Sequence, residues 1–172
     1  MSWNKSSFVR ASTSGDYGQD LVMKYLSDKG YEVEEAPKIR FYDWDVKGHK
    51  NNREVTIEVK YDSKAYYWAN RRGTPEQPNL YIEFENTNSN TPSGIKMSKA
   101  DFYFYILKTG DKDIAFVFNR ELLLEHLLSN SYKVVTNKAT GDDNAKGWIP
   151  PLNELLISSR GYKATIDLTP YA

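Results

Sequence analysis

Two acids and a lysine stand in neighbouring predicted strands at a spacing that can bring them together. Asp43 lies in the segment FYDWDV, and Glu58 and Lys60 follow 15 residues later in TIEVKY. Side chains alternate across a strand, so Glu58 and Lys60 share one face while the apolar residues between them share the other. If the two strands pair as a hairpin, an aspartate of the first strand lies beside Glu58.

Such a cluster is suited to phosphate chemistry with a divalent cation. Carboxylate oxygens from two strands can hold Mg²⁺ (or Mn²⁺), which keeps several waters and accepts phosphate oxygens as further ligands. The metal would polarise a phosphodiester and lower the pKa of a bound water. A neighbouring lysine can orient that water or assist its deprotonation, and it counters the charge that grows on phosphorus. The predicted chemistry is phosphodiester hydrolysis.

The bare spacing of acid, any residue and lysine is common in this chain. It occurs in Asp45-Val46-Lys47, in Glu58-Val59-Lys60 and in Asp62-Ser63-Lys64. In isolation, a cross-strand ion pair on a half-exposed sheet is the more frequent explanation of such a match. The second match is distinguished by its place inside an apolar alternating strand that follows a hairpin.

Composition and charge indicate a folded protein with a basic central region. The chain has 172 residues, 40% hydrophobic and 14% aromatic, which predicts a single domain over residues 1–172 with a loose N-terminal arm at 1–14. The net charge is zero, but Lys38 to Arg72 contains nine basic and five acidic residues. The chain lacks cysteine and any long apolar run, so we expect an intracellular (cytoplasmic) protein with no membrane association.

Periodicity and turn residues predict an α/β (α+β layered) domain in which a mixed sheet is flanked by helices. Helices are expected over GDYGQDLVMKYLSDKG, over RELLLEHLLSN with Asn119 as its cap, and over PPLNELLISSRG. Strands are expected in YEVEE, KIRFYDWDV, EVTIEVKYD, NLYIEFEN, ADFYFYIL, DIAFVFN, YKVVT and YKATIDLT. Loops are expected in KGHKNNR, DSKAYYWANRRGTPEQP, NTNSNTPSG and TNKATGDDNAKG.

The segment from Gly15 to Asp62 resembles the core of the PD-(D/E)XK nuclease superfamily, which includes restriction endonucleases and Holliday junction resolvases. In this sequence the aspartate of the family motif resembles Asp43, and the second half-motif resembles Glu58-Val59-Lys60. The resemblance implies a restriction-endonuclease-like core, catalysis by Asp43, Glu58 and Lys60, and a Mg²⁺ held by the two acids and the Val59 backbone carbonyl.

Three positions depart from the family pattern. Tyr42 stands where a proline usually precedes the aspartate, and Gln19, with Asp20 nearby, stands where a helix glutamate often helps to bind metal. Asp45 shares a face with Asp43 and is the alternative acid of the first strand. Asp43 is preferred because the aspartate of the family normally lies at the start of its strand.

Basic residues near the motif are candidate DNA contacts. One group follows the motif strand among aromatic residues that could stack on bases, namely Lys64, Arg71 and Arg72. A second group lies around the hairpin tip, namely Lys47, Lys50 and Arg53. Glu83 and Glu85 share a face of the following strand, where one of them could approach the metal.

The sequence thus predicts a metal-dependent DNA endonuclease, which we expect to act as a homodimer because two strands are usually cut by two sites. The opening helix is similar to that of resolvase-like members, which favours a structure-selective nuclease of the Holliday junction or phage recombination type. The alternatives are a type II restriction endonuclease and a non-catalytic DNA-binding protein on a nuclease scaffold. The sequence has no glycine-rich phosphate loop, so no nucleotide cofactor is expected.

Overall fold

The computed structural model describes residues 7–38, 42–136 and 144–172, and the side chains from residue 15 onward within those ranges. The helices are α1 (Ser7–Asp28), α2 (Ala65–Arg71), α3 (Arg120–Ser129) and α4 (Leu152–Ser158). The strands are β1 (Glu32–Glu35), β2 (Val46–Lys50), β3 (Arg53–Asp62), β4 (Ile82–Asn86), β5 (Thr91–Pro92), β6 (Phe102–Thr109), β7 (Lys112–Asn119), β8 (Val134–Thr136), β9 (Ala145–Trp148) and β10 (Tyr162–Asp167). Short 3-10 helices cover Gly94–Lys96 and Thr169–Tyr171.

The strands form two sheets. The larger has six strands in the order β1-β2-β3-β6-β7-β10, and the smaller has four in the order β5-β4-β9-β8. β3 and β6 are parallel, whereas the other neighbours in the larger sheet are antiparallel. The central sheet is therefore mixed and flanked by helices, which confirms the predicted fold class. Among the described residues, no helix is long and apolar enough to cross a membrane.

The two faces of the larger sheet pack into separate cores. On one face, Leu21 and Val22 of α1 pack in the same cluster as Ile57 of β3. On the other face, Tyr103 and Tyr105 of β6 belong to a cluster that includes the smaller sheet, α3 and α4. In the parallel register, Glu58 is paired with Tyr103 and Lys60 with Tyr105. Because paired residues share a face, the predicted alternation of β3 is correct, and Glu58 and Lys60 lie opposite the α1 side.

The hairpin before β3 is tighter than predicted. β2 continues through Lys50, and the turn consists only of Asn51 and Asn52, whose φ angles are 51° and 60°. Positive φ at both central residues is typical of a two-residue type I′ turn, for which asparagine is well suited. Gly48 belongs to the segment predicted as a loop, but it lies inside β2, where a Cβ would be 3.0 Å from the Tyr31 ring. The predicted strand KIRFYDWDV is therefore displaced: residues 42–45 precede β2, and residues 39–41 lie outside the described residues.

Three further elements differ from the predictions. α1 begins at Ser7, inside the segment predicted as a loose arm, while residues 1–6 lie outside the described residues. The predicted loop after β3 contains α2, a helix of seven residues whose only buried side chains are Ala65 and Ala69. The predicted loop TNKATGDDNAKG contains the start of β9, and its residues 137–143 lie outside the described residues.

Several predicted elements are confirmed, including the strands β6 and β7, which pair as a hairpin. That hairpin turns at Gly110, whose φ is 64°. At the end of β7, the Asn119 side chain accepts a hydrogen bond from Leu122 N (3.0 Å) and caps α3 as predicted. β1, β3, β8, α4 and β10 also fall in the predicted segments.

Replacing Gly94 by alanine should destabilise the fold far more than the same change at Gly110. Both have positive φ, 52° and 64°, so each substitution incurs a backbone cost of about 1–2 kcal/mol. A Cβ at Gly94 would also lie 2.2 Å from the Glu83 carbonyl oxygen, whereas nothing lies within 4 Å at Gly110. Urea denaturation should therefore give a clearly larger loss of unfolding free energy for Gly94→Ala. Equal losses would show that Gly94 is not packed against β4.

Candidate active site

A cavity of about 420 Å³ opens where the middle of α1, the segment before β2, and β3 and β4 meet. Its lining contains four acidic residues and one basic residue, Lys38, together with the polar residues Gln19, Asn86, Ser93 and Ser98; the acids are Asp16, Asp45, Glu58 and Glu83. Three of these carboxyl groups come from three different parts of the sheet system: the approach to β2, the middle of β3 and the middle of β4. The cavity is therefore an acidic site assembled by tertiary structure, and we call it the acidic cavity.

The register of β2 and β3 places Asp45 beside Glu58. The β2–β3 pairing ends at Val46 and Ile57, and Asp45 N, one residue before β2, donates a hydrogen bond to the Ile57 carbonyl oxygen (2.9 Å), which places Asp45 next to the part of β3 that contains Glu58. The Asp45 carboxylate accepts a hydrogen bond from Val59 N at 2.8 Å. The N–H and C=O of one strand residue point to the same edge, so the Val59 carbonyl faces the side on which Asp45 lies.

Burial perturbs both of these acids in the same direction. Burial raises the pKa of Asp45; the hydrogen bond from Val59 opposes this rise, and the charge of Glu35 adds to it. Burial also raises the pKa of Glu58 to about 8, and the charges of Asp45 and Glu83 add to the rise. A hydrogen bond with Ser98 and the charge of Arg120 oppose it. The acidic cavity thus stabilises protonated carboxyls, and a bound cation would reverse that preference.

Asp43, the preferred acid of the sequence analysis, lies elsewhere. It precedes β2, its side chain is exposed, and it is not among the described residues that line the acidic cavity. Its backbone carbonyl accepts hydrogen bonds from Lys99 N (2.8 Å) and the Ser98 hydroxyl (3.3 Å). The structure therefore brings the alternative acid, Asp45, to Glu58, while Asp43 anchors the segment around Ser98.

Lys60 lies on the same face of β3 as Glu58 but reaches a different cavity. Its Nζ is 5.8 Å from the centroid of the Tyr81 ring, and it lines a second cavity beside α2. Of the three predicted catalytic residues, Glu58 and Lys60 therefore share one face of the sheet, whereas Asp43 does not join them. Asp45 and Glu58 meet in one cavity, and Lys60 stands at the boundary with the next.

Of the other predicted accessory residues, one lines the acidic cavity and one does not. Gln19 lines the acidic cavity, as does Asp16, which pairs with Lys38 Nζ at 3.2 Å. Asp20 is exposed and is not among the described lining residues. α1 thus contributes an amide and an ion-paired carboxylate to the cavity.

Of the two glutamates of β4, the sequence did not indicate which one approaches the site, and the structure places Glu83 there. The pairing of β4 with β9 shifts register between Glu83 and Glu85, and this bulge separates the two side chains. Glu83 lines the acidic cavity, whereas Glu85 forms an ion pair with Lys146 at 3.1 Å. Strict alternation would have kept the two glutamates together, so the sequence carries little signal for their separation.

The carboxylate oxygens in the acidic cavity are ligands of the kind that a hard cation takes. Among the described residues, no three acidic or histidine side chains stand close enough to form a complete metal cluster. Mg²⁺ does not require one, because it is commonly held by one or two carboxylates and completes its shell with water and phosphate oxygens. Asp45 and Glu58 line the acidic cavity, and they are the two carboxylates that could hold such an ion together with the Val59 carbonyl.

The basic residues after β3 gather around α2. Lys64 Nζ lies 5.6 Å from the Tyr67 ring centroid, and Arg71 Nη1 donates a hydrogen bond to the Tyr67 hydroxyl at 3.2 Å. Arg72 donates to the Gln77 carbonyl oxygen at 3.2 Å. All three residues are exposed on or beside α2, and their contact with DNA stays a prediction.

The basic residues of the β2–β3 hairpin are more dispersed. Lys47 Nζ lies 4.7 Å from the Trp44 ring, while Lys50 donates to the Lys29 carbonyl oxygen at 2.6 Å and so caps the end of α1. Arg53 is exposed at the hairpin tip, five residues before Glu58, which is about 17 Å along a strand. Lys50 thus has a structural partner within the fold.

Comparison with solved structures identifies a nuclease of similar fold. The bacterial homing endonuclease I-Ssp6803I matches with a TM-score of 0.50 and 15% sequence identity, over 66% of this chain and 72% of that chain. No protein-family model matches the sequence. The comparison with curated proteins also gives no match. At 15% identity the structural similarity establishes the fold: a mixed sheet flanked by helices that is shared with an endonuclease.

Glu58→Gln should stabilise the metal-free protein, and increasingly so as the pH rises. The pKa of Glu58 is about 8 in the folded protein against an ordinary value of 4.5, so between these values the folded state retains a proton that the unfolded chain releases. Stability is therefore lost as pH rises through this window, by an amount on the order of a few kcal/mol. Glutamine stays neutral and avoids this loss.

Thermal denaturation in chelator at pH 5 and pH 8.5 measures this effect. The stability of the Glu58→Gln variant relative to the parent protein should increase between the two values. Glu85→Gln is the matched control, because Glu85 is paired with Lys146 outside the acidic cavity, and its effect should not rise with pH in this way. A pH-independent difference for Glu58→Gln would mean that its carboxyl is not buried as described.

Proposed function

We propose that this protein is a metal-dependent endonuclease that hydrolyses phosphodiester bonds in DNA. The observation that carries this proposal is the Asp45 carboxylate, fixed at the Val59 N–H beside Glu58 on a strand that also bears Lys60. The shared fold with a homing endonuclease supports the same reading. The pattern of Asp45 and Glu58-Val59-Lys60 favours membership of the PD-(D/E)XK superfamily, with Asp45 in the position that the sequence assigned to Asp43.

Asp45, Glu58 and the Val59 carbonyl would hold Mg²⁺ (or Mn²⁺). When bound, the ion would polarise a phosphate oxygen and lower the pKa of a coordinated water. Asp45 is pre-oriented by the Val59 N–H, so its ligand oxygen is positioned before the metal arrives. Glu58 must release its proton to become a ligand, because its pKa is raised to about 8 in the metal-free protein.

Lys60 supplies the positive charge nearest to Glu58 along the strand. Residues two apart on one face of a strand are about 6.7 Å apart, and the four-carbon lysine stem can span that distance. From its position over Tyr81, the ammonium can turn towards a phosphate bound at the acidic cavity. There it would counter the negative charge that develops on the phosphate or assist removal of a proton from the attacking water.

Within this class we favour a structure-selective nuclease of the resolvase or phage recombination type that acts as a homodimer. The support is the similarity of the opening helix to the resolvase-like branch, together with the expectation that two sites cut two strands. A type II restriction endonuclease is the alternative, and it differs in cutting at a fixed sequence in linear duplex DNA.

A non-catalytic DNA-binding protein is the second candidate function. Gln19 favours it, because an amide lines the acidic cavity where a helix glutamate often completes the metal site. An amide oxygen is a neutral ligand and holds a divalent cation less strongly than a carboxylate. Metal-independent binding to DNA without any cutting would support this candidate.

Asp45→Asn and Asp43→Asn form a matched pair that tests the position of the first acid. With supercoiled plasmid and Mg²⁺, we expect Asp45→Asn to reduce the cleavage rate by at least about a hundredfold, because it removes one of two anionic ligands. Asp43→Asn should remain within a few fold of the parent, since its exposed side chain lies outside the acidic cavity. The reverse ranking would restore Asp43 as the ligand.

Glu58→Ala and Lys60→Ala should each reduce cleavage by about a hundredfold or more, because a ligand and a charge-neutralising group contribute that much or more to such reactions. Both variants should keep the circular dichroism spectrum of the parent, and both should bind DNA when Ca²⁺ replaces Mg²⁺. Cleavage by the parent should stop in chelator. A Glu58→Ala protein with full activity would overturn the proposed site.

A further inference from the structure

A second cavity begins at Lys60, the next residue after Glu58 on the same face of β3. Its volume is also about 420 Å³, within the range of about 300–1,000 Å³ that is typical of small-molecule sites. β3, α2, the segment just before β4 and the strand β8 contribute to its lining. We call it the aromatic cavity, after the Trp68 and Tyr81 side chains in its wall.

The wall of this cavity is mainly apolar. Besides the two aromatic side chains, it includes Leu80, Val135 and Ile149. Trp68 is 42% exposed, although it is a large apolar side chain on a short helix, and its ring packs edge-on against Tyr67 at 5.1 Å. An exposed tryptophan that lines a recess is well placed to stack on a planar ligand.

The rim of the aromatic cavity is positive. Lys60, Lys64 and Arg72 line it, against one carboxylate, Asp62. Both oxygens of Asp62 already accept hydrogen bonds, one from the Tyr105 hydroxyl (2.6 Å) and the other from the backbone N–H groups of Lys64 and Ala65. Asp62 therefore holds the start of α2 in place, and both of its oxygens are already hydrogen-bonded within the protein. The rim offers three cations to a ligand that is both planar and anionic, which describes a nucleotide.

We propose that the aromatic cavity binds one unstacked nucleobase of the DNA strand whose backbone lies at the acidic cavity. This inference rests on the proposed function, because it identifies the form of DNA that the same site would recognise. A base inside a duplex is stacked and paired and cannot enter a recess, so the occupant is a bulged, extruded or single-stranded base. Stacking on Trp68 and charge contacts with the rim would hold it, and the Asn79 carboxamide offers a donor and an acceptor to its edge.

The position of Lys60 connects the two cavities. It is the residue after Glu58 on one strand face and also part of the aromatic cavity, so the two cavities are neighbours along β3. A nucleotide whose phosphate lies near Glu58 can therefore place its base beyond Lys60. The same lysine would contact the phosphate that links the two.

A binding assay without hydrolysis tests this inference. Fluorescence anisotropy in Ca²⁺ compares three labelled hairpin duplexes: fully paired, with one bulged adenine, and with an abasic bulge that has the same backbone. We expect the parent protein to bind the adenine bulge at least about tenfold more tightly than the abasic bulge, as stacking of one base on an aromatic ring provides. Trp68→Ala should abolish this preference, and Trp68→Phe should retain part of it.

Ile157→Ala is the matched control, because Ile157 is 85% exposed on α4 and does not line the aromatic cavity. It should leave the preference for the adenine bulge unchanged. Equal affinity for the adenine and abasic bulges, or a preference that survives Trp68→Ala, would overturn the inference. So would dAMP competing as effectively as the bulged hairpin, because the cavity would then be a site for free nucleotides.

The test of the aromatic cavity can fail while the proposed nuclease activity holds, and the reverse is also true. Cleavage of plasmid in Mg²⁺ without a bulge preference in Ca²⁺ would remove only the inference about the aromatic cavity. A bulge preference that depends on Trp68, without any metal-dependent cleavage, would retain the base site and remove the catalytic proposal.

Discussion

The register between β2 and β3 determines what the acidic cavity contains. A two-residue turn at Asn51 and Asn52 pairs Lys50 with Arg53, and each step back along β2 moves one step forward along β3 until Val46 pairs with Ile57, which leaves Asp45 beside Glu58 just beyond the last pair. A shift by one residue would turn every side chain of β2 to the other face. Val46 would then leave the core beneath α1, where it is fully buried against Ile57. The hydrophobic core therefore enforces the position of the acid.

Burying two carboxyl groups in the acidic cavity is electrostatically unfavourable, and the surrounding groups must offset this cost. Burial of Asp45 and Glu58 raises both pKa values, so the surrounding structure must hold carboxyls that would be more stable in water. Groups around the cavity provide part of that support: Val59 N binds Asp45, and Ser98 and the charge of Arg120 act on Glu58. Arg120 is itself buried and donates to the carbonyl oxygens of Ala100 (2.7 Å) and Ile95 (3.4 Å), which ties the segment around Ser98 to α3.

Sequence patterns predict the parts of this fold that local residues decide. The alternation of β3 places Glu58 and Lys60 on one face, and the Asn119 cap follows from the hydrogen bond its side chain accepts. The position of Asp45 could also have been derived, because reading Asn51-Asn52 as a type I′ turn fixes the register. Gly48 hides the position of this turn, because a glycine there suggests a loop. In the structure Gly48 lies inside β2, and the Tyr31 ring leaves little space for a Cβ.

Other features depend on contacts that are distant in sequence. α2 has two turns, and its buried face consists of two alanines, so its periodicity is too short to recognise. The separation of Glu83 from Glu85 arises from a bulge against β9, a strand about 60 residues away along the chain. The cavity lining drawn from α1, β3 and β4 is likewise a product of tertiary packing. A motif search can find Glu58 and Lys60, but the partners of Glu58 appear only once the sheet is assembled.

Two residues on one face of β3, Glu58 and Lys60, lie in different surroundings, so the two ends of the proposed site differ in charge and polarity. Glu58 lies among carboxyls, whereas Lys60, two residues later, lies against an aromatic ring at the edge of an apolar recess. In the proposed function, a cation in the acidic cavity and the basic rim of the aromatic cavity would together favour a phosphate at the boundary between them. Because both environments are fixed to one strand, the distance between a phosphate bound as proposed and the recess would be set by the rise of a β-strand. A rigid element that fixes such a distance can position a nucleotide more accurately than two loops could.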